Sequence, residues 1–280
     1  MTVRLYPFKL SFSPSSSYAL LPFMMDGAVV PEYRGCLSSR SAGSMTYSPD
    51  LENPHRTALC ERLGIAPQRL RSCVQIHSKD VLVLDSDGIG GASPLEKADG
   101  LISVGPDTWL SVTVADCLPI YLIDTTALGS SSRSGPGLPL GLVHSGWKGT
   151  GIVLRALELM AQRWNTRAEG VAAILGPCIR GPCYTVDEAR ARSFEAEFGG
   201  PGGPYPLGPV VWREGEGEKR WHIDLQAANG RLLAQAGVRN IAVCEDCTYS
   251  DDRLGSFRRE GPQAYTRMAA MVGKFTKDVG

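Results

Sequence analysis

The chain alternates between short apolar runs and clusters of glycine, proline and serine, and the period of the apolar positions changes along it. Residues 1–50 alternate weakly, which predicts two or three strands. Residues 53–63 (NPHRTALCERL) switch to helical spacing, with Asn53 as N-cap, Pro54 at the first helical position and Gly64 as the stop. Residues 71–84 alternate again, which sets Cys73, Gln75 and His77 on one face of a strand and Val74 and Ile76 on the other. Strands are predicted at 101–104, 109–114, 120–123, 141–144, 171–175 and 241–243. Helices are predicted at 152–164, 188–198, 222–236 and 261–275. Residues 125–139 and 199–208 are low in complexity and read as flexible inserts. Strands and helices mix without strict alternation, so the expected class is α+β with mixed sheets, in a single domain spanning 1–280.

Composition narrows the function. Lys plus Arg and Asp plus Glu balance at 29 each, so no overall field points to nucleic acid or to a membrane surface. There is neither an apolar run of about 18 residues nor a charged-then-apolar leader, and the expected location is the cytoplasm. Eight cysteines without a secretion signal suggest reduced thiols, a metal ligand or a nucleophile. Cys244-Glu-Asp-Cys247 is a lone CxxC, a weak metal or redox signal on its own.

One stretch breaks the hydrophobic pattern in a way packing does not explain. Asp116-Cys117 sits between the apolar runs 109–114 and 120–123, and an ionised carboxylate there needs a partner or a task. His77 and His144 lie in comparable settings, each near a strand end. His55, at a helix start, and His222, at a helix entry, read as cap or surface residues. Two histidines and a cysteine would satisfy the three-ligand rule of a catalytic zinc if the sheets bring them together. The same residues equally compose a metal-free cysteine hydrolase, with Cys117 as nucleophile and His77 or His144 as base. After His144, the turn Ser145-Gly-Trp-Lys-Gly-Thr-Gly151 leads into a helix. Its free N–H groups and Lys148 would suit an anion.

The motifs Gln75-Ile-His77-Ser, Ala98-Asp99-Gly-Leu-Ile-Ser, Thr113-Val-Ala-Asp-Cys-Leu-Pro119, His144-Ser-Gly-Trp-Lys-Gly149, Leu175-Gly-Pro-Cys-Ile, Pro182-Cys-Tyr184 and Ser256-Phe-Arg-Arg-Glu-Gly261 resemble, in order, those of the YfiH-like laccase-domain family. The resemblance runs from about residue 34 to the C-terminus. It implies a layered αββα-like fold of mixed sheets, of the type grouped with CNF-like cysteine hydrolases, and a Zn2+ held by His77, Cys117 and His144. It also implies phosphorolysis of adenosine, inosine and S-methyl-5'-thioadenosine, with some adenosine deamination, by a monomer or homodimer. Asp116 would then carry a proton or orient a ligand, while Arg40, Gln75, Lys148, Arg258 and Arg259 are the candidates for holding nucleoside and phosphate. Trp147 or Phe257 would stack on the base. The older family label, copper polyphenol oxidase, fits less well, because a copper cluster needs many histidines and this chain has four. A metal-stabilised scaffold without catalysis is the remaining alternative. The sequence departs from the family pattern at Ser78 and Ser145, at Lys148 where the family has arginine, and around Arg40.

Overall fold

The structure, a computed structural model, describes residues 2–12, 16–84, 96–126, 128, 137–200, 207–215 and 220–275. In chain order, β1 (Arg4–Phe8), β2 (Tyr18–Met25) and β3 (Ala28–Ser38) precede helix α1 (Pro54–Leu63). Next come β4 (Leu70–Ser72), β5 (Val81–Leu84), β6 (Gly100–Ser103), β7 (Trp109–Val114), β8 (Leu118–Asp124) and β9 (Leu140–Ser145). Helix α2 (Ile152–Trp164), β10 (Val171–Leu175), β11 (Thr185–Val186) and helix α3 (Glu188–Phe198) follow. The chain then forms β12 (Val211–Glu214), β13 (Arg220–Ile223), helix α4 (Leu225–Gln235), β14 (Asn240–Cys244), the short helix α5 (Phe257–Glu260) and β15 (Met268–Lys274).

Seven strands in the order β1-β14-β10-β8-β9-β6-β5 make one mixed sheet, five in the order β2-β3-β15-β7-β4 make a second, and β11-β13-β12 make a small third. The two large sheets share one apolar interior: Leu21, Leu37, Val112 and Met268 of the second meet Leu101, Tyr121, Leu142 and Ile174 of the first. The opposite face of the seven-stranded sheet is covered by helices, with Ile152 and Met160 of α2, Phe194 of α3 and Leu233 of α4 packed on Ile120 and Val143. Helix α1 covers the far side of the five-stranded sheet, where Leu59 and Leu63 meet Cys36 and Met271. The layers therefore run α, β, β, α, as the resemblance implies. Among the described residues no helix is long and apolar enough to cross a membrane.

Local chemistry accounts for the best-predicted element. The Asn53 side chain accepts from the N–H groups of His55 and Arg56, Pro54 opens α1, and Gly64 closes it in the left-handed region at φ 67°. A cap of this kind stabilises a helix by about 1 kcal/mol.

Three expectations fail. Residues 71–84 do not form one strand: β4 and β5 belong to different sheets, and the segment between them crosses from one to the other. The last element is a strand, not a helix. β15 lies between β3 and β7 and is buried on both faces, so its sequence is a continuous apolar run without the period-2 signature that would have separated it from a helix. His222 lies on β13, one element before the predicted helix entry. Most of the two predicted flexible inserts, 127 and 129–136 in the first and 201–206 in the second, lies outside the described residues.

Candidate metal and substrate site

Cys117 follows β7 at the point where the chain leaves the five-stranded sheet and enters the seven-stranded one as β8. The reversal is tight, and Asp116 adopts φ 84° to make it. His77 occupies the other crossover, between β4 and β5, with φ 59°. His144 arrives by a regular route near the end of β9, whose pairing with β8 sets Pro119 opposite it. These three routes bring the donor atoms of His77, Cys117 and His144 to within 4.8 Å of one another, and among the described residues no other group of three such donors forms. The two imidazoles meet edge to face with centroids 5.0 Å apart.

Asp99, just before β6, organises this cluster, although its place in the Ala98-Asp99 motif did not single it out as a site residue. One carboxylate oxygen pairs with His144 Nδ1 at 2.9 Å. The other accepts from the N–H of Ile76 at 3.1 Å and from the N–H and hydroxyl of Ser78 at 2.6 and 3.0 Å. One fully buried carboxylate thus fixes the His144 ring and both residues flanking His77. The signal was available: an acid opening a buried strand needs partners. Burial pushes Asp99 up, but the His144 and backbone hydrogen bonds outweigh it and hold the carboxyl below its ordinary range.

Burial also pushes the Cys117 thiol up, yet the His144 charge and the hydrogen bonds from His144 and His77 bring it down to about 6. For His144, burial acts downward, and the Cys117 thiolate and Asp99 reverse this to about 9. Each of the two groups thus favours the charged form of the other.

The donors suit a metal. A thiolate and two imidazoles are a familiar zinc set, and His77, Cys117 and His144 would hold such an ion. The carboxylate behind His144 Nδ1 is the outer partner that metal-bound histidines commonly have. Gly146 leaves the room required: a Cβ there would lie 2.9 Å from Cys117 Sγ and 3.6 Å from His77 Cδ2.

The cluster opens into a cavity of about 550 Å³, well within the range of small-molecule sites. Among the described residues its wall carries Arg190, Arg258 and Arg267 against a single carboxylate, Asp116. Each arginine lies over an aromatic ring of the same wall: Arg190 over Trp147 at 4.7 Å, Arg258 over Tyr184 at 5.4 Å, and Arg267 over Tyr265 at 4.3 Å. Arg190 and Arg267 escaped the sequence reading because no local pattern marks a surface-type arginine as facing a cavity.

The predicted contact residues divide. Arg258 lines the cavity. Gln75 lines it too, but its amide bonds the N–H, carbonyl and hydroxyl of Thr113, tying the His77 crossover to β7. Asp116 accepts from Thr248 Oγ1 at 2.6 Å and from the Arg258 N–H at 2.7 Å, so both oxygens are occupied. Arg40, Lys148 and Arg259 do not line the cavity. Arg40 pairs with Glu260 at 3.2 Å, and Arg259 donates to the carbonyls of Thr248, Tyr249, Asp251 and Leu254 and to Glu260. Exposed Lys148 lies over the Trp147 ring at 5.6 Å. The turn expected to cradle an anion instead packs inward: Thr150 donates to the Gly146 carbonyl and Ile152 to that of Gly149, leaving only Gly146 and Trp147 at the wall. Trp147 is already faced by Arg190, whereas Phe257 meets Tyr265 edge-on and stays half exposed.

A family model described as multi-copper polyphenol oxidoreductase laccase matches residues 51–274. The chain belongs to that family. A member from Geobacillus stearothermophilus, named purine nucleoside phosphorylase YlmD, is 33% identical over 79% of this chain and 77% of its own. The crystal structure of YlmD from the same organism superposes with a TM-score of 0.72 over 90% of this chain and 98% of its own, at 25% identity. A protein from an unknown prokaryotic organism, named an adenosine deaminase, is 29% identical over 71% of this chain and 76% of its own. The copper in the family's description meets a shortage of ligands in this laccase-domain chain. His55 packs its ring on Gly43, and His222 bonds the Gly181 carbonyl through Nδ1, so two of the four histidines are committed elsewhere.

Proposed function

We propose that this protein cleaves the glycosidic bond of purine nucleosides with inorganic phosphate, using a Zn2+ held by His77, Cys117 and His144. The observation that carries the reading is a single three-donor cluster at the base of a cavity whose charged wall is arginine-rich. The names of its relatives point the same way. A bound zinc supplies Lewis acidity to an oxygen of the attacking group.

The protein's own residues do the rest. Arg190, restrained over Trp147, presents N–H edges to a phosphate dianion, for which charge-assisted bonds are the strong ones, while Arg258, over Tyr184, donates from both terminal nitrogens to Thr185 and adds its charge to the wall. Phe257 offers an apolar face to the purine. Asp116 is a positioning residue: its carboxylate bonds both Thr248 and the Arg258 backbone, holding Arg258 beside Cys117. Asp99 keeps the His144 proton on Nδ1 and leaves Nε2 for the ion. Adenosine, inosine and methylthioadenosine are the substrates to test, and a domain spanning the whole chain is the unit that acts on them.

The deciding experiment incubates the zinc-loaded protein with adenosine, with and without phosphate, and follows adenine, ribose 1-phosphate and inosine. Phosphate-dependent adenine with an equal yield of ribose 1-phosphate supports phosphorolysis. Inosine formed without phosphate would assign deamination instead.

The thiolate–imidazolium pair backed by Asp99 favours one other reading, a cysteine hydrolase with Cys117 as nucleophile and His144 as base. It leaves His77 unexplained, since a nucleophile needs one base and not two converging imidazoles. A protein that is metal-free after gel filtration, fully active, and inactivated by iodoacetamide would establish the hydrolase.

A further inference from the structure

A second cavity, of about 210 Å³, lies between helix α1 and β4, and Thr46, Tyr47, Ser48, Arg56, Thr57 and Ser72 are part of its lining. Thr46 and Tyr47 also line the large cavity, so the two share a wall. The small one falls below the roughly 300 Å³ at which sites for drug-sized molecules begin, which suits a small anion and not a nucleoside.

Arg56 gives this cavity its chemistry. The residue is only 8% exposed. Its guanidinium donates to the Met45 carbonyl at 3.2 Å and to the hydroxyl oxygens of Ser72 and Ser111 at 2.7 and 3.3 Å, and all three partners are neutral. Among the described residues Arg56 forms no ion pair: Asp50 and Glu52, the acids nearest in sequence, are exposed, and the first turn of α1 carries no acid. Its position in that turn adds to the charge, because a helix begins with a partial positive charge of its own. Burial pulls the guanidinium below its ordinary range, and the groups that act the other way are the Cys60 thiol and the Tyr47 phenol, not a carboxylate. A buried cation without a counter-charge is costly, and this one fronts a cavity.

Donors remain for a ligand. Among the described residues the Nε–H and one Nη1 hydrogen of Arg56 have no acceptor, and Ser72, whose oxygen accepts from Nη2, gives its own hydrogen to no protein group. We propose that this cavity binds a tetrahedral oxyanion of the phosphate class, with Arg56 as its counter-charge and Ser72 as a hydroxyl donor. The two donors reach the cavity from different elements, α1 and β4, a spread that matches oxygens pointing several ways better than the flat edge of a carboxylate. Because Thr46 and Tyr47 face both cavities, the anion would also brace one wall of the large one.

The test titrates the zinc-loaded full chain with inorganic phosphate and counts the sites by calorimetry. The parent protein should bind one equivalent at Arg56 and, by the function proposed above, a second at Arg190. Arg56→Gln should lose one equivalent. Thr57→Leu fills the cavity from α1 while keeping Arg56 and should lose the same one, so the result does not hang on how well the fold accepts a buried glutamine. Either variant retaining the parent's full number of equivalents would overturn the proposal. A parent that binds a single equivalent, lost in both variants and kept in Arg190→Gln, would support this site and count against the proposed function instead. Sulfate should displace the Arg56-dependent phosphate and acetate should not; displacement by acetate as strong as by sulfate would overturn the choice of a phosphate-class ligand.

Discussion

The two histidines of the cluster reach it from opposite kinds of structure. His144 sits on a regular strand, 3% exposed, with its ring bonded to a buried carboxylate. His77 sits on an irregular crossover, exposed, with a left-handed backbone and no described hydrogen bond to Asp99 from its own ring. Asp99 serves both: directly through the His144 ring, and indirectly through the backbone on either side of His77. One donor is thus set by the sheet and another by a loop pinned to it. The difference separates what holds the fold from what completes the site.

Removing what both halves share should have the largest effect. Cys117→Ala is expected to abolish stoichiometric zinc and lower phosphorolysis roughly a thousandfold, the several kcal/mol that metal polarisation supplies; metal analysis beside steady-state rates checks it. Asp99→Asn comes next. It keeps the shape but weakens the hold on both segments, and metal affinity should fall about 10- to 100-fold, read by competition with a chromophoric chelator.

The contrast itself is tested by replacing each histidine in turn and measuring stability in the metal-free protein. His144→Ala removes a buried partner of Asp99 and should lower unfolding stability by about 2–4 kcal/mol in urea. His77→Asn suits the left-handed backbone and leaves Asp99 intact, so stability should change by less than about 0.5 kcal/mol while zinc is still lost. Equal destabilisation by the two would mean the crossover is as structural as the strand. The smallest effect belongs to Lys148→Ala: it is exposed and outside the cavity, so the phosphate KM should stay within about twofold, whereas Arg190→Gln should raise it severalfold.

What the sequence made legible follows the same division. The strands 109–114 and 120–123, the Asp116-Cys117 break between them and the capped helix after Asn53 were readable, because each is decided by residues close in the chain. Cys117 and His144 could be suspected from their settings. Their convergence with His77 could not, because it depends on which sheet each strand joins. The apolar run of β15 hid its type for a related reason: a strand buried on both faces has no polar phase. The arginine wall is the extreme case. Arg190 stands on α3 and Arg267 beside β15, nearly 80 residues apart, and nothing local tells either from a solvated side chain, while Lys148, beside a glycine turn, looked better placed than it is.

Two of the three donors lie on the links by which the chain passes from one large sheet to the other, β4 to β5 and β7 to β8. An ion shared by His77, Cys117 and His144 would therefore act as a rivet through the sandwich, opposing any slippage of one sheet over the other. Amide hydrogens of β7 and β8 should then exchange more slowly together when zinc is bound, although neither strand supplies a ligand from within its own length.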